Sequence, residues 1–272
     1  MIIDTHAHVN FNAFKDDRSE VVRRSLENGV WMINVGTQYS TSKRAAELAE
    51  KYPEGVYAAI GLHPIHLETG LVKIKADPDE IEFKTTEEDF NPNLYRELAK
   101  SKKVVAVGEV GLDYYWRPKG DVRNEEFKKK QREVLFKQLD FAKELGLPVI
   151  FHCRMAHPEL IQLLKEYGPI KGVIHCFTGT IEEAAEYIKM GLHLGLNGII
   201  FKYDIDEAIK EVPLDRILLE TDCPYLTPPQ KEGRNEPLYV KYVAEKVSGL
   251  RNINLEDLID KTTENAKKIF NI

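Results

Sequence analysis

Short apolar runs alternate with longer amphipathic stretches along the whole chain, the pattern of a parallel sheet wrapped by helices. Eight runs have strand length: Ile2 to Asp4, Val30 to Val35, Val56 to Ile60, Val104 to Gly108, Pro148 to Phe151, Gly172 to Ile174, His193 to Leu196 and Arg216 to Leu219. The residues just past them are His8, Val35, His63, Glu109, His152, His175, Asn197 and Asp222. Their mean spacing is about 31 residues, close to one βαβ unit. Eight strand-and-helix units make an α/β fold of the (β/α)8 TIM-barrel type the economical reading of these 272 residues, taken as a single domain over 1–272. Between the fourth and fifth runs, Glu125 to Gly146 sets Phe127, Val134, Leu135, Leu139, Ala142 and Leu145 on one stripe. Its lysines and arginines fall largely elsewhere, so they read as a solvated helix face. Gly146 reads as the helix stop. Asn254 to Phe270 predicts a further amphipathic helix, packed on the outside of the barrel.

One interval is out of proportion. From His66 to Asn93 the chain carries eight acidic residues and three lysines, which is −5 of a total net charge of −6. Weak alternation at Val72 to Ile74 and Ile81 to Phe83 predicts a short hairpin in this insertion after strand 3. It is expected either as a plain surface excursion or as a lid at the end of the barrel where chemistry is assembled.

Composition narrows the function classes. A net charge of −6 provides no global cationic field for nucleic acid or anionic membrane, so any polyanion must be gripped locally. The three cysteines are an odd number, and no apolar run approaches the roughly 18 residues needed to cross a bilayer. The chain is therefore expected to be cytoplasmic, with no membrane association and no obligate protein partner evident.

His6 and His8 lie two apart just after the first run, and a period of two sends both to one side as a ready chelate. His63, Glu109, His152, His175 and Asp222 each fall at the C-terminal end of another predicted strand, the face where barrel active sites are built. Histidines scattered through a core would not collect at strand ends in this way. Four histidines (His6, His8, His152 and His175) with Glu109 and Asp222 exceed one tetrahedral zinc and suit two divalent ions sharing a bridging carboxylate. Glu109 is the natural bridge, with His6, His8 and Asp222 completing one site and His152 and His175 the other. Zinc, manganese and magnesium remain open as the metal. Cys153, Cys176 and Cys223 each follow a proposed ligand directly, so alternation turns them toward the strand–helix layer as packing. Asp4 and Glu220, two residues before His6 and Asp222, are expected to point inward one layer deeper, either to orient ligands or as polar residues of the barrel core bonded only to each other or to water.

The segments DTHAHVN, GLHP, GEVGLDYYW, FHCR, HCFTG, ETDCPYL and RNEP, in this order from Asp4 to Pro237, together resemble the TatD-like metal-dependent hydrolases. The resemblance implies an amidohydrolase-type barrel, a family with members described as DNases, and two metals at His6, His8, Glu109, His152, His175 and Asp222. The long insertion after His66 departs from the family pattern. The expected reaction is phosphodiester hydrolysis of a DNA end or short single strand, in the manner of an exonuclease. Asp222 would orient water and accept its proton, Glu109 would bridge, and His63 would contact phosphate or protonate the leaving oxygen. Arg154, on the face of His152, and Lys202 are the phosphate-binding candidates. Tyr114, Tyr115 and Trp116 are candidates to stack a terminal base, and Asn235 reads as a helix N-cap. Two other readings stay open: ester or amide hydrolysis, as in lactonases, deaminases and aminoacyl-tRNA deacylases, and a non-catalytic metal-binding barrel.

Overall fold

A computed structural model of the chain describes residues 1–71 and 83–272 together with 73–74, residues 73–74 and 83–84 by their backbone alone. Eight strands form one parallel sheet: β1 (Ile2–Ala7), β2 (Val30–Val35), β3 (Val56–Ile60), β6 (Val104–Asp113), β7 (Val149–Arg154), β8 (Gly172–Ile174), β9 (His193–Leu196) and β10 (Ile217–Leu219), in that spatial order. The sheet closes on itself just beyond β10. Ala7 and Cys223 form a parallel bridge, and the Asp222 amide donates to the His6 carbonyl at 2.8 Å. The (β/α)8 barrel reading therefore holds, with strand boundaries displaced by a residue or so except in β1, β6 and β7, which run past the apolar core.

Helices α1 (Arg18–Glu27), α2 (Tyr39–Ala49), α3 (Pro92–Leu98), α4 (Asp121–Leu145), α5 (His157–Tyr167), α6 (Ile181–Lys189), α7 (Asp206–Glu211) and α8 (Val240–Arg251) follow their strands. Helix α4 ends where Gly146 takes a left-handed conformation at φ 66°. Its basic residues meet nearby carboxylates, as in Lys128 with Glu125 at 2.9 Å and Arg132 with Glu159 at 2.7 Å, which is the solvated face expected.

Two apolar layers hold the barrel. The larger lies between strands and helices; the smaller is the interior, where Ile3, Ile33, Val105, Ile150, Val173 and Leu218 meet. The last helix, α9 (Leu255–Phe270), corrects the expectation of outside packing, because its Ala266 and Phe270 join this interior layer and close the N-terminal end of the barrel. A sequence stripe shows that a helix has an apolar face but not which layer receives it.

Within the insertion, Lys73–Ile74 (β4) pairs antiparallel with Phe83–Lys84 (β5), while Val72 and Ile81 of the expected hairpin lie outside the described residues. The base of the insertion is tied to the barrel wall. Glu88 accepts from the Tyr39 amide at the start of α2 and from Tyr95 Oη at 2.9 Å, and Lys130 of α4 donates to the Leu67 carbonyl at 2.9 Å and to Glu87. Among the described residues, no helix is long and apolar enough to cross a membrane.

Candidate metal centre

At the C-terminal ends of the strands, the interior changes within one pleat from apolar to ionisable. Two residues beyond Ile150, Val173 and Leu218 stand His152, His175 and Glu220. Glu109 lies where the register of β6 against β7 slips between Gly108 and Val110, a bulge that re-aims a side chain. Its two oxygens face different groups. Oε2 lies 3.4 Å from His6 Nε2 and 3.9 Å from His8 Nε2, whereas Oε1 lies 2.7 Å from His152 Nδ1, 3.3 Å from His63 Nε2 and 3.5 Å from His175 Nε2. Asp222 Oδ1 completes the first group, 3.3 Å from His8 Nε2 and 3.9 Å from His6 Nε2. All six expected metal residues and His63 are thus brought together.

Each ring is held from behind. His8 Nδ1 contacts the Val35 carbonyl at 2.8 Å, which leaves Nε2 facing Nε2 of His6 at 3.1 Å. His175 Nδ1 contacts Glu220 Oε1 at 2.9 Å, and that oxygen also accepts from the Cys176 amide and from Asn197 Nδ2. Glu220 therefore orients the ring of His175. His152 Nε2 contacts Asp113 Oδ2 at 3.1 Å. Sequence reasoning missed Asp113, although it stands four residues after Glu109 in one of the quoted segments. The apolar run stopped at Gly108, while the ladder with β7 continues to the pair Asp113 and Arg154.

Helix α4 fixes two of these positions through buried glutamines. Gln131 bonds both the amide and the carbonyl of Asp113, at 2.8 and 2.9 Å, and Gln138 does the same for Leu62, next to His63. His63 Nδ1 accepts from the Ile65 amide at 3.0 Å, so its hydrogen sits on Nε2, toward Glu109. Burial, then the neighbouring His152, lowers its pKa and keeps it neutral.

The electrostatics favour a cation. Burial opposes ionisation of Glu109, yet His63 and His175, followed by hydrogen bonds from His152 and His6, hold its carboxyl well below the usual range. Burial also works against charge on His152 and His175. At His152 the hydrogen bonds of Asp113 and Glu109 outweigh it and push the imidazole up to about 9; at His175 the charges of Glu220 and Glu109 push it up to about 10. His6 moves the other way, lowered by burial and by His175, and its Nδ1 is buried without a hydrogen-bond partner. Clustered imidazole nitrogens and ionised carboxylates fit divalent cations of the zinc or manganese type. Among the described residues five groups of donor atoms lie within 4.8 Å of one another, and two of these match the expected sets: His6, His8 and Asp222, and Glu109, His152 and His175.

Three expectations are corrected. Ile3, instead of Asp4, joins the interior layer, and Asp4 grips the Thr221 amide and hydroxyl at 2.9 and 2.6 Å, so it sets the turn before Asp222 and touches no ligand ring. Cys176 does not turn away. It lies beyond the end of β8 at φ 48°, where alternation no longer applies, and its Sγ is within reach of His175 and Asp222. Burial and then the carboxylates of Asp222 and Glu220 push its thiol well up, which keeps it unreactive. Cys153 and Cys223 are core residues as expected. Asn235 is no N-cap; it is buried, and its Nδ2 staples the carbonyls of Thr221 and Tyr225 on both sides of Asp222.

At the mouth, Arg154 is exposed, with its Cζ over the Tyr115 ring at 3.8 Å from the centroid, and among the described residues no carboxylate pairs with it. Tyr115 meets Trp116 edge to face at 5.0 Å, while Tyr114 is turned into packing under Lys128. Lys202 is exposed in the loop after β9.

Residues 3–271 match the family model described as TatD related DNase. The chain is 42% identical over 279 positions to the uncharacterized metal-dependent hydrolase YabD of Bacillus subtilis, covering all of both chains. It is 33% identical over 283 positions to the 3′-5′ ssDNA/RNA exonuclease TatD of Pantoea ananatis, again over the full length of both. Among solved structures, the TatD homologue YJJV of Escherichia coli superposes with a TM-score of 0.84 at 30% identity, covering 100% of this chain and 98% of that one.

Proposed function

The chain belongs to the TatD family of metal-dependent hydrolases, and on that premise we propose that it is an exonuclease that releases nucleotides from the end of single-stranded DNA or RNA with two divalent cations. One observation carries this reading: Glu109 presents one oxygen to His6 and His8 and the other to His152 and His175. Glu109 would be shared between two divalent cations, one held with His6, His8 and Asp222 and the other with His152 and His175. Zinc, manganese or magnesium bound there supplies Lewis-acid polarisation of a phosphoryl oxygen and a nucleophile at neutral pH.

The chain's own side chains do the rest. Asp222 has a side chain 16% exposed, more open than that of Glu109, and its carboxyl is held below the usual range against burial by His8 and His175. It is the base placed to orient water and take its proton. His63, neutral and with its hydrogen on Nε2, keeps Glu109 oriented and offers a donor to a phosphate oxygen. Arg154 presents the edge of a guanidinium whose face is stacked on Tyr115, suited to forking two phosphate oxygens while Tyr115 and Trp116 meet a terminal base. Lys202 adds a second cationic contact. A strand end suits a chain of net charge −6 better than a duplex clamp. Relatives named as 3′-5′ exonucleases support attack from the 3′ end.

The test is release of nucleotides from 5′- and 3′-labelled single strands by metal-stripped protein given magnesium, manganese or zinc, wild type beside Glu109→Ala. Metal-dependent loss of the 3′ label that Glu109→Ala abolishes is expected. No release with any metal, despite two ions bound per chain, would overturn the nuclease reading in favour of ester or amide substrates.

A further inference from the structure

At the opposite end of the barrel, where β8, β9 and β10 begin and α9 closes the floor, lies a cavity of about 340 Å³. Its size is within the range of small-molecule sites. Four cationic side chains line it, Lys171, Arg216, Lys261 and Lys268, against the carboxylates of Asp215 and Glu264. Lys261 is engaged with Glu264 at 2.9 Å, but among the described residues no carboxylate lies within 4.0 Å of the cationic nitrogens of Lys171, Arg216 or Lys268. Arg216 spends one Nη1 hydrogen on the Gly191 carbonyl at 2.9 Å, which fixes the guanidinium and leaves its remaining donors for another partner. Three cations without a carboxylate partner leave a local positive field on one face of a protein whose net charge is −6, and a small anion complements that field.

We propose that this cavity is a second, non-catalytic site that binds a small phosphorylated anion, of up to nucleoside monophosphate size, between Lys171, Arg216 and Lys268. Phosphate matches the donors best, since the guanidinium fork and two ammonium groups offer more hydrogens than a single carboxylate accepts. His193 on the wall reports the field: burial, then the charge of Arg216, lowers its imidazole to about 4. A bound anion opposes Arg216 and Lys268 and raises that value. The site is independent of the nuclease reading, because its residues lie at the far end of the strands from Glu109.

The test titrates the protein, stripped of metal so that no metal ion at the other end attracts the probe, with adenosine monophosphate and separately with inorganic phosphate. Heat of binding and the His193 ring resonance are followed together. Wild type is expected to bind at least one probe with a Kd near or below about 1 mM and to shift the His193 titration upward. Lys171→Ala with Lys268→Ala, both exposed positions, should weaken binding at least tenfold, while Glu109→Gln should leave it unchanged. Tighter binding of adenosine monophosphate would identify a nucleotide site, and equal binding a phosphate site. Absence of binding by wild type up to about 10 mM would overturn the proposal. So would binding that survives the lysine substitutions, or that disappears with Glu109→Gln.

Discussion

Loading metal into this centre should expel protons, and the carboxylates around His152 and His175 point to two. Without metal, His152 sits between Glu109 and Asp113, and His175 between Glu109 and Glu220, which lifts them to about 9 and about 10. At pH 7.5 both are imidazolium, whereas only a neutral nitrogen binds a cation. The proton facing Glu109 would be the one to leave, from Nδ1 of His152 and from Nε2 of His175, with the other kept by Asp113 and Glu220. Displacing both costs about 5 kcal/mol at pH 7.5, taking about 1.36 kcal/mol per pK unit. Apparent affinity should therefore rise about a hundredfold per pH unit between roughly pH 7 and 8.5. Calorimetric zinc titration of chelator-treated protein, in buffers of different ionisation enthalpy, counts the protons directly. Two per chain are expected, falling toward one in Glu220→Gln, with metal affinity down by about 10–100-fold in that variant. Fewer than one proton released, or an affinity flat with pH, would refute the reasoning.

The same two histidines set the pH dependence of the metal-free fold. Their folded pKa values are raised above an unfolded value near 6.5, so their stabilisation is complete below that pH and is lost as pH rises through about 9 to 10. The Tm of chelated protein should fall over this window; a level Tm would contradict the assignment. Gln131→Leu leaves the buried amide and carbonyl of Asp113 without partners, and urea unfolding should register a loss of about 2–4 kcal/mol, together with weaker metal retention. Arg154→Ala should raise KM for a single-stranded oligonucleotide about tenfold with little change in kcat, and Arg154→Lys should not restore it, because an ammonium cannot both stack on Tyr115 and fork a phosphate. An unchanged KM in steady-state assays would remove Arg154 from the substrate path.

The chain by itself determined the barrel and the six residues at its centre. Each strand is a short apolar run, and His6, His8, Glu109, His152, His175 and Asp222 stand where such runs end, so hydrophobic periodicity alone marks their place. Alternation also turned Glu220 inward correctly, because β10 is regular up to Leu219. What it missed lies where a local period stops applying. Asp113 depends on a β6 that continues past its apolar core after a slip in register at Glu109, and Cys176 depends on a left-handed residue just after β8. The remainder is long-range. Asp4 meets Thr221 across 217 residues, Asn235 staples the turn around Asp222, and the glutamines of α4 reach back to Leu62 and Asp113. These contacts exist only because the sheet closes between β1 and β10 and the helices lie against it. A sequence carries the two periods that sort side chains into faces. Which buried polar atoms then find one another is decided by closure of the barrel, since each must have a partner once water is excluded.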